Sequence, residues 1–154
     1  MKQIYVIDAC ALINASKNYN MKKTAFAHIW DKISEMIESG QLISSSEILD
    51  ELKDDDLAEW AKHHKEAFIP LNPTIQANVT AILKTYPTMI QIKSTGNSNG
   101  DPFLVATAKV KGGCIITDER PGDVKSKNYR IPNVCNELGV RYINLHEFLD
   151  LILD

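Results

Sequence analysis

The sequence lacks both a pair of cysteines spaced to hold a metal and a framework for disulfides. Its three cysteines, Cys10, Cys114 and Cys135, are an odd number and lie far apart. Neither a zinc ribbon nor a disulfide-stapled fold is indicated. Cys10 and Cys114 stand in or beside apolar runs and read as small buried hydrophobes. Reduced thiols suit a cytoplasmic location. Long apolar runs are missing as well, and none approaches the roughly 20 residues of a membrane span. Ile4-Tyr5-Val6-Ile7 is too short for a signal-peptide core, and no small-residue cleavage site follows it. His28, His63, His64 and His146 show no HExxH spacing and read as structural or surface residues. No charge dominates: the formal net charge is −3, so any RNA binding needs basic residues gathered locally.

What is present is a regular alternation of strand and helix signals. The 154 residues suit a single domain spanning 1–154, with 44% hydrophobic and 24% charged residues as in ordinary globular chains. Ile4–Ile7 is a short β-branched run of the kind buried on both faces of a sheet. Phe26, Ile29, Trp30, Ile33, Met36 and Ile37 recur at helical spacing, and Gly40 ends that helix. Gln41–Ile43 reads as a second strand. Ser44 and Glu47 have the spacing of a capping box that opens a helix through Leu52. Leu57, Trp60, Ala61 and His64 mark another helix, with both tryptophans on apolar faces. Asn72-Pro73 opens a further helix that Pro87 ends. Lys93 to Gly100 is the most loop-like stretch. Asp101-Pro102 then starts an almost wholly apolar helix, closed by Gly112-Gly113. Cys114–Thr117 is a third strand. Ile131-Pro132 opens a helix capped by Gly139, Val140–Ile143 is a fourth strand, and Asn144 with Glu147 caps the last helix. The expected fold class is α/β: a three-layer α/β/α sandwich around a central, mostly parallel sheet of four to five strands.

Ligands of such sheets bind beyond the carboxyl ends of the strands. Asp8 directly follows the first strand, Asp118 and Glu119 follow the third, and Asp101 heads the helix leading into the third. Gathered carboxylates repel and raise one another's pKa, and stay ionised together only beside a cation. Oxygen ligands without Cys or His suit Mg²⁺ or Mn²⁺. One or two such ions are the usual means of phosphodiester hydrolysis. Blander readings account for neighbouring acids. Glu47 is explained as a cap, and Asp54-Asp55-Asp56 as a cap with a solvated turn. Glu51 by itself reads as a solvated helix residue and Asp101 as an N-cap. Asp8 is harder to dismiss, since an acid after a buried strand is costly unless paired or metal-bound.

Four segments together resemble the PIN domain, a nuclease fold common in toxin–antitoxin systems. They are Ile4-Tyr5-Val6-Ile7-Asp8, Glu51-Leu52, Gly100-Asp101-Pro102-Phe103-Leu104-Val105-Ala106-Thr107-Ala108 and Ile115-Ile116-Thr117-Asp118-Glu119, in family order. Ile131-Pro132-Asn133-Val134-Cys135 and the closing strand and helix look like a PIN-like branch of otherwise unknown function. The resemblance implies a Mg- or Mn-dependent endoribonuclease. It implies Asp8, Glu51 and Asp101 as the first three acids of the site. The fourth is normally the Asp of a Thr-x-Asp motif. Here the motif reads Thr117-Asp118-Glu119, so Glu119 takes that place, with Asp118 an alternative ligand and Thr117 a supporting hydroxyl. The resemblance further implies RNA as substrate, an antitoxin as partner, and dimerisation.

Arg120, Lys125, Lys127 and Arg130 crowd the turn after Glu119, and Lys17, Lys22 and Lys23 follow Asp8. They read equally as an RNA-backbone clamp and as charged, solvated loops. Two rival functions remain open. A haloacid-dehalogenase-type hydrolase also places Asp after its first strand, but wants Asp-x-Asp where this chain reads Asp8-Ala9-Cys10. A catalytically silent PIN-like module would bind RNA or protein without a metal.

Overall fold

Short apolar segments satisfy their backbones by pairing side by side, and five of them do so here, three with a neighbour on each edge. The computed structural model describes residues 2–89 and 100–153. The strands are β1 (Tyr5–Ile7), β2 (Leu42–Ser45), β3 (Phe68–Ile69), β4 (Cys114–Ile116) and β5 (Tyr142–Ile143). They form one sheet in the order β3-β2-β1-β4-β5, with every pairing parallel. β1 is central: Val6 lies opposite Ile43 on one side and Ile115 on the other. The chain moves outward from β1 through β2 to β3, then returns to place β4 on β1's other edge. The strand order therefore reverses between β1 and β4, and the ends of those strands flank a crevice.

Helices cover both faces, giving the expected three-layer α/β/α arrangement. They are α1 (Ala9–Asn18), α2 (Ala27–Glu38), α3 (Asp55–Lys62), α4 (Pro73–Thr85), α5 (Asp101–Lys111), α6 (Ile131–Leu138) and α7 (Leu145–Ile152). α5 packs on β1 and β2, with α4 and α6 against it. Its apolar positions Leu104, Val105, Ala106 and Ala108 are all fully buried, as its composition requires. α2 packs on β2, and its Trp30 meets Trp60 of α3 edge to face, so both indoles belong to the core. On the strand side of α7, Phe148 is fully buried against Tyr5. α5 and α6 end at Gly112 and Gly139, with φ of 66° and 71°; a Cβ would strain both.

The structure changes one local reading and adds two elements. Residues 9–18, assigned no element from the sequence, form α1. Asp8 accepts the Ala11 N–H at 2.7 Å and so caps it, while Ala9, Ala11, Leu12 and Ala15 supply a buried face. Ser44 does not cap a helix. It lies in β2, and its buried hydroxyl donates to the Ile7 carbonyl oxygen at 2.6 Å. Ser45 takes the capping role, accepting the Glu47 N–H at 3.1 Å, and the segment that follows (Ser46–Glu51) is a 3₁₀ turn rather than an α-helix. A strand partner for Ser44 thus outweighs the local capping preference. β3, at two residues, is too short for any periodic signal. The loop-like run from Lys93 falls, as far as residue 99, outside the described residues.

Candidate active site

The crevice between the ends of β1 and β4 collects carboxylates from separate parts of the chain. Asp8 leaves β1 and is 2% exposed. Its Oδ1 carries the capping bond to Ala11, whereas Oδ2 is buried with no well-formed hydrogen bond. Burial pushes the Asp8 carboxyl up to about 7. The nearby Thr117 hydroxyl and the Ala11 N–H favour its charged form, while the charges of Asp101 and Asp118 oppose it. Glu119 is pushed up to about 8, again chiefly by burial and then by Asp101 and Asp8, with Arg130 opposing. Close approach to the Asp101 carboxyl raises Glu119 further.

Asp101 is the first residue of α5, and Gly100 occupies the capping position, so helix capping does not explain the acid. Glu51 ends the 3₁₀ turn and sits against the head of α5. A Cβ on Gly100 would stand 2.6 Å from Glu51 Oε2 and 2.8 Å from Ile48 Cγ2. Gly100 is therefore needed for close approach, not for its φ. The N-termini of α1 and α5 both open at the site, and their dipoles partly offset the negative charge. The structure thus brings Asp8, Asp101 and Glu119 into mutual interaction, with Glu51 beside the head of α5.

Asp118 is held differently. Its Oδ2 accepts from Asn14 Nδ2 of α1 at 2.7 Å, and its Oδ1 accepts the Leu145 N–H of α7 at 2.9 Å. Thr117 is buried, and its hydroxyl accepts the Glu119 N–H at 3.1 Å. Among the described residues, no three acid, histidine or cysteine side chains already stand as ligands around one point. What is assembled is negative charge, with one buried carboxylate oxygen lacking a well-formed hydrogen bond. Such a donor set fits a hard divalent cation. Cys10 is half-buried rather than buried, and its thiol is pushed up to about 12 by burial and by Asp8, Glu119, Asp118 and Asp101.

The basic loop after Glu119 is pinned by a residue whose role the sequence does not announce. Asn133 accepts the N–H groups of Gly122 at 2.7 Å and Arg130 at 2.9 Å, and donates to the Gly122 carbonyl oxygen at 3.3 Å. Thr88 donates to the Lys127 carbonyl oxygen at 2.7 Å. Arg120, Lys125, Lys127 and Arg130 are exposed, and of these Arg130 acts on Glu119. Lys22 pairs with Asp56 at 2.9 Å on the surface. Nothing in the sequence marks Asn14, and Asn133 lies in the Ile131–Cys135 segment, whose pattern does not show the bonds it makes to the loop.

The sequence pattern of a family described as a domain of unknown function, DUF4411, matches residues 5–151. The chain belongs to the DUF4411 family. Two solved structures share its fold. PAE2754 from Pyrobaculum aerophilum is 17% identical with a TM-score of 0.51, over 99% of the DUF4411 chain and 98% of its own. VapBC-1 from nontypeable Haemophilus influenzae is 15% identical with a TM-score of 0.54, over 94% and 99%. At these identities the likeness shows a PIN-like fold for this DUF4411 chain, as its motifs imply. No curated protein matches it by sequence. No helix among the described residues is long and apolar enough to cross a membrane.

Proposed function

We propose that this chain is a Mg²⁺- or Mn²⁺-dependent endoribonuclease. The observation that carries the reading is the gathering of mutually repelling carboxylates, Asp8 buried and Asp101 and Glu119 half-buried, at the reversal point of a PIN-like sheet. Asp8 and Glu119 are raised far above the carboxylate range, and Asp8 Oδ2 has no well-formed hydrogen bond, with only the Thr117 hydroxyl nearby. Such an arrangement costs stability in an isolated protein and becomes favourable beside a doubly charged ion.

Asp8, Asp101 and Glu119 would hold the cation, with Glu51 acting from the head of α5. When bound, the ion supplies Lewis-acid polarisation of a phosphate oxygen and lowers the pKa of water. The chain's own residues do the rest. Thr117 orients Glu119 through its backbone N–H. Arg130, Arg120, Lys125 and Lys127 hold the RNA backbone on a loop that Asn133 keeps in shape. A carboxylate of this cluster takes up the proton of the attacking water. Unpaired or looped RNA is the substrate class, because its bases and backbone are accessible. An antitoxin that covers the crevice and a homodimeric state complete the proposal, by likeness to toxin–antitoxin proteins of this fold.

Incubation of a mixed RNA pool with Mg²⁺ or Mn²⁺ tests the activity. Wild type should cut the pool, EDTA should stop it, and Asp101→Asn should lower the rate by at least about 100-fold. Calorimetry should detect Mn²⁺ binding to wild type and not to Asp8→Asn. Equal binding by both proteins, or by neither, rejects the nuclease reading and leaves the silent binding module.

A further inference from the structure

After β4, Asp118 and Glu119 take different partners. Glu119 turns towards Asp101 and Asp8. Asp118 is bound through both its oxygens, one by Asn14 Nδ2 at 2.7 Å and the other by the Leu145 N–H at 2.9 Å. Asn14 lies on α1, the helix that Asp8 itself caps. The Asn14–Asp118 bond therefore joins the helix that starts at the first acid to the segment that carries the fourth. Leu145 is the first residue of α7, whose N-terminal dipole favours a carboxylate there.

We propose that Asn14 and Asp118 form a clip that sets the spacing between Asp8 and Glu119, and that Asp118 is a positioning residue rather than a metal ligand. The inference rests on the cation-binding reading above and adds a residue pair to it. Glu119 is one methylene longer than the aspartate usual at its place, so it has an extra torsion to be fixed. Thr117 holds its backbone from one side and the clip holds its neighbour from the other. Both oxygens of Asp118 are already oriented by Asn14 and Leu145, whereas Glu119 faces Asp101 and Asp8.

The test uses the full chain and Mn²⁺ alone, by calorimetry at one pH, with melting temperature in EDTA as a check on folding. Asn14→Ala removes no carboxylate, yet should weaken Mn²⁺ binding by about 10- to 100-fold, the usual effect of losing a group that orients a ligand. Asp118→Asn should weaken it comparably. The swap Asn14→Asp with Asp118→Asn rebuilds the bond in reverse, and the amide oxygen introduced at position 118 can still accept the Leu145 N–H. It should return affinity to within about threefold of wild type, a recovery that a general loss of stability does not predict. If Asn14→Ala binds as wild type does, or Asp118→Asn abolishes binding and the swap does not restore it, the clip is overturned while the metal reading stands. If wild type binds no Mn²⁺, the metal reading falls and the clip with it. Should Asp118→Asn fail to fold, Asn14→Ala and the swap still decide.

Discussion

Asp8 carries two duties whose demands conflict. As the cap of α1 it needs only an acceptor for the Ala11 N–H, which asparagine also provides. As an ionised group 2% exposed it costs free energy whenever no cation is near. Its carboxyl, raised to about 7, is ionised in most native molecules at pH 8 and fully ionised in the unfolded chain. Asp8→Asn removes that burden. In EDTA at pH 8 the variant should be more stable than wild type by about 1–3 kcal/mol, less than the full shift implies because the amide also lacks a partner. At pH 5, where native Asp8 is protonated, the gap should shrink. Urea unfolding at both pH values checks this. A variant less stable than wild type at pH 8 would show that the carboxylate is held for structure. Two asparagines complete the residue scale, Asn14 bound to Asp118 and Asn133 closing the basic loop.

At the scale of elements, the site is made by helix starts meeting strand ends. α1 begins at Asp8, α5 begins at Asp101, and the 3₁₀ turn delivers Glu51 to the head of α5. That last contact admits no side chain on Gly100, since a Cβ would meet Glu51 Oε2 at 2.6 Å and Ile48 Cγ2 at 2.8 Å. Gly100→Ala should therefore push the turn away from α5. It should cost about 1–3 kcal/mol in chemical denaturation, as overpacking does. It should also weaken Mn²⁺ binding more than a matched Gly→Ala at an exposed site. If stability and binding both stay at wild-type values, Glu51 has room to move and its place in the site is not enforced by packing. The element boundaries that sequence patterning captured best were those with strong chemical punctuation. Asn72-Pro73 opens α4, Asp101-Pro102 opens α5, and Asn144 with Glu147 closes a capping box on α7. The Ser44–Glu47 box misled because a buried strand partner outweighed a local cap.

At the scale of the whole molecule, the gathered carboxyls couple stability to pH. Asp8 and Glu119 hold protons in the native state up to about 7 and about 8, while in the unfolded chain they release them near 4. Between those limits the unfolded state binds fewer protons, so native stability falls as pH rises through the window. In EDTA the melting temperature should drop from pH 5 to pH 8 by several degrees, at about 2–4 °C per kcal/mol for a chain of this size. Saturating Mn²⁺ should restore it at pH 8 and do little at pH 5, where protons already neutralise the site. Scanning calorimetry across four conditions, two pH values with and without Mn²⁺, measures this. A melting temperature that rises with pH in EDTA would contradict the carboxylate arrangement described for the crevice.

Patterning alone was enough for the α/β class, the buried first and third strands, the apolar α5 and the order of the acids along the chain, because these depend on local periodicity and neighbouring residues. It also put Asp8, Asp101 and Glu119 at strand or helix ends. Only the tertiary structure decided which acids face one another. Strand order puts β4 beside β1, and Asn14, 104 residues from Asp118 in sequence, takes up one of the two acids that follow β4. Bonds across such a separation depend on how elements pack, and no local pattern encodes them.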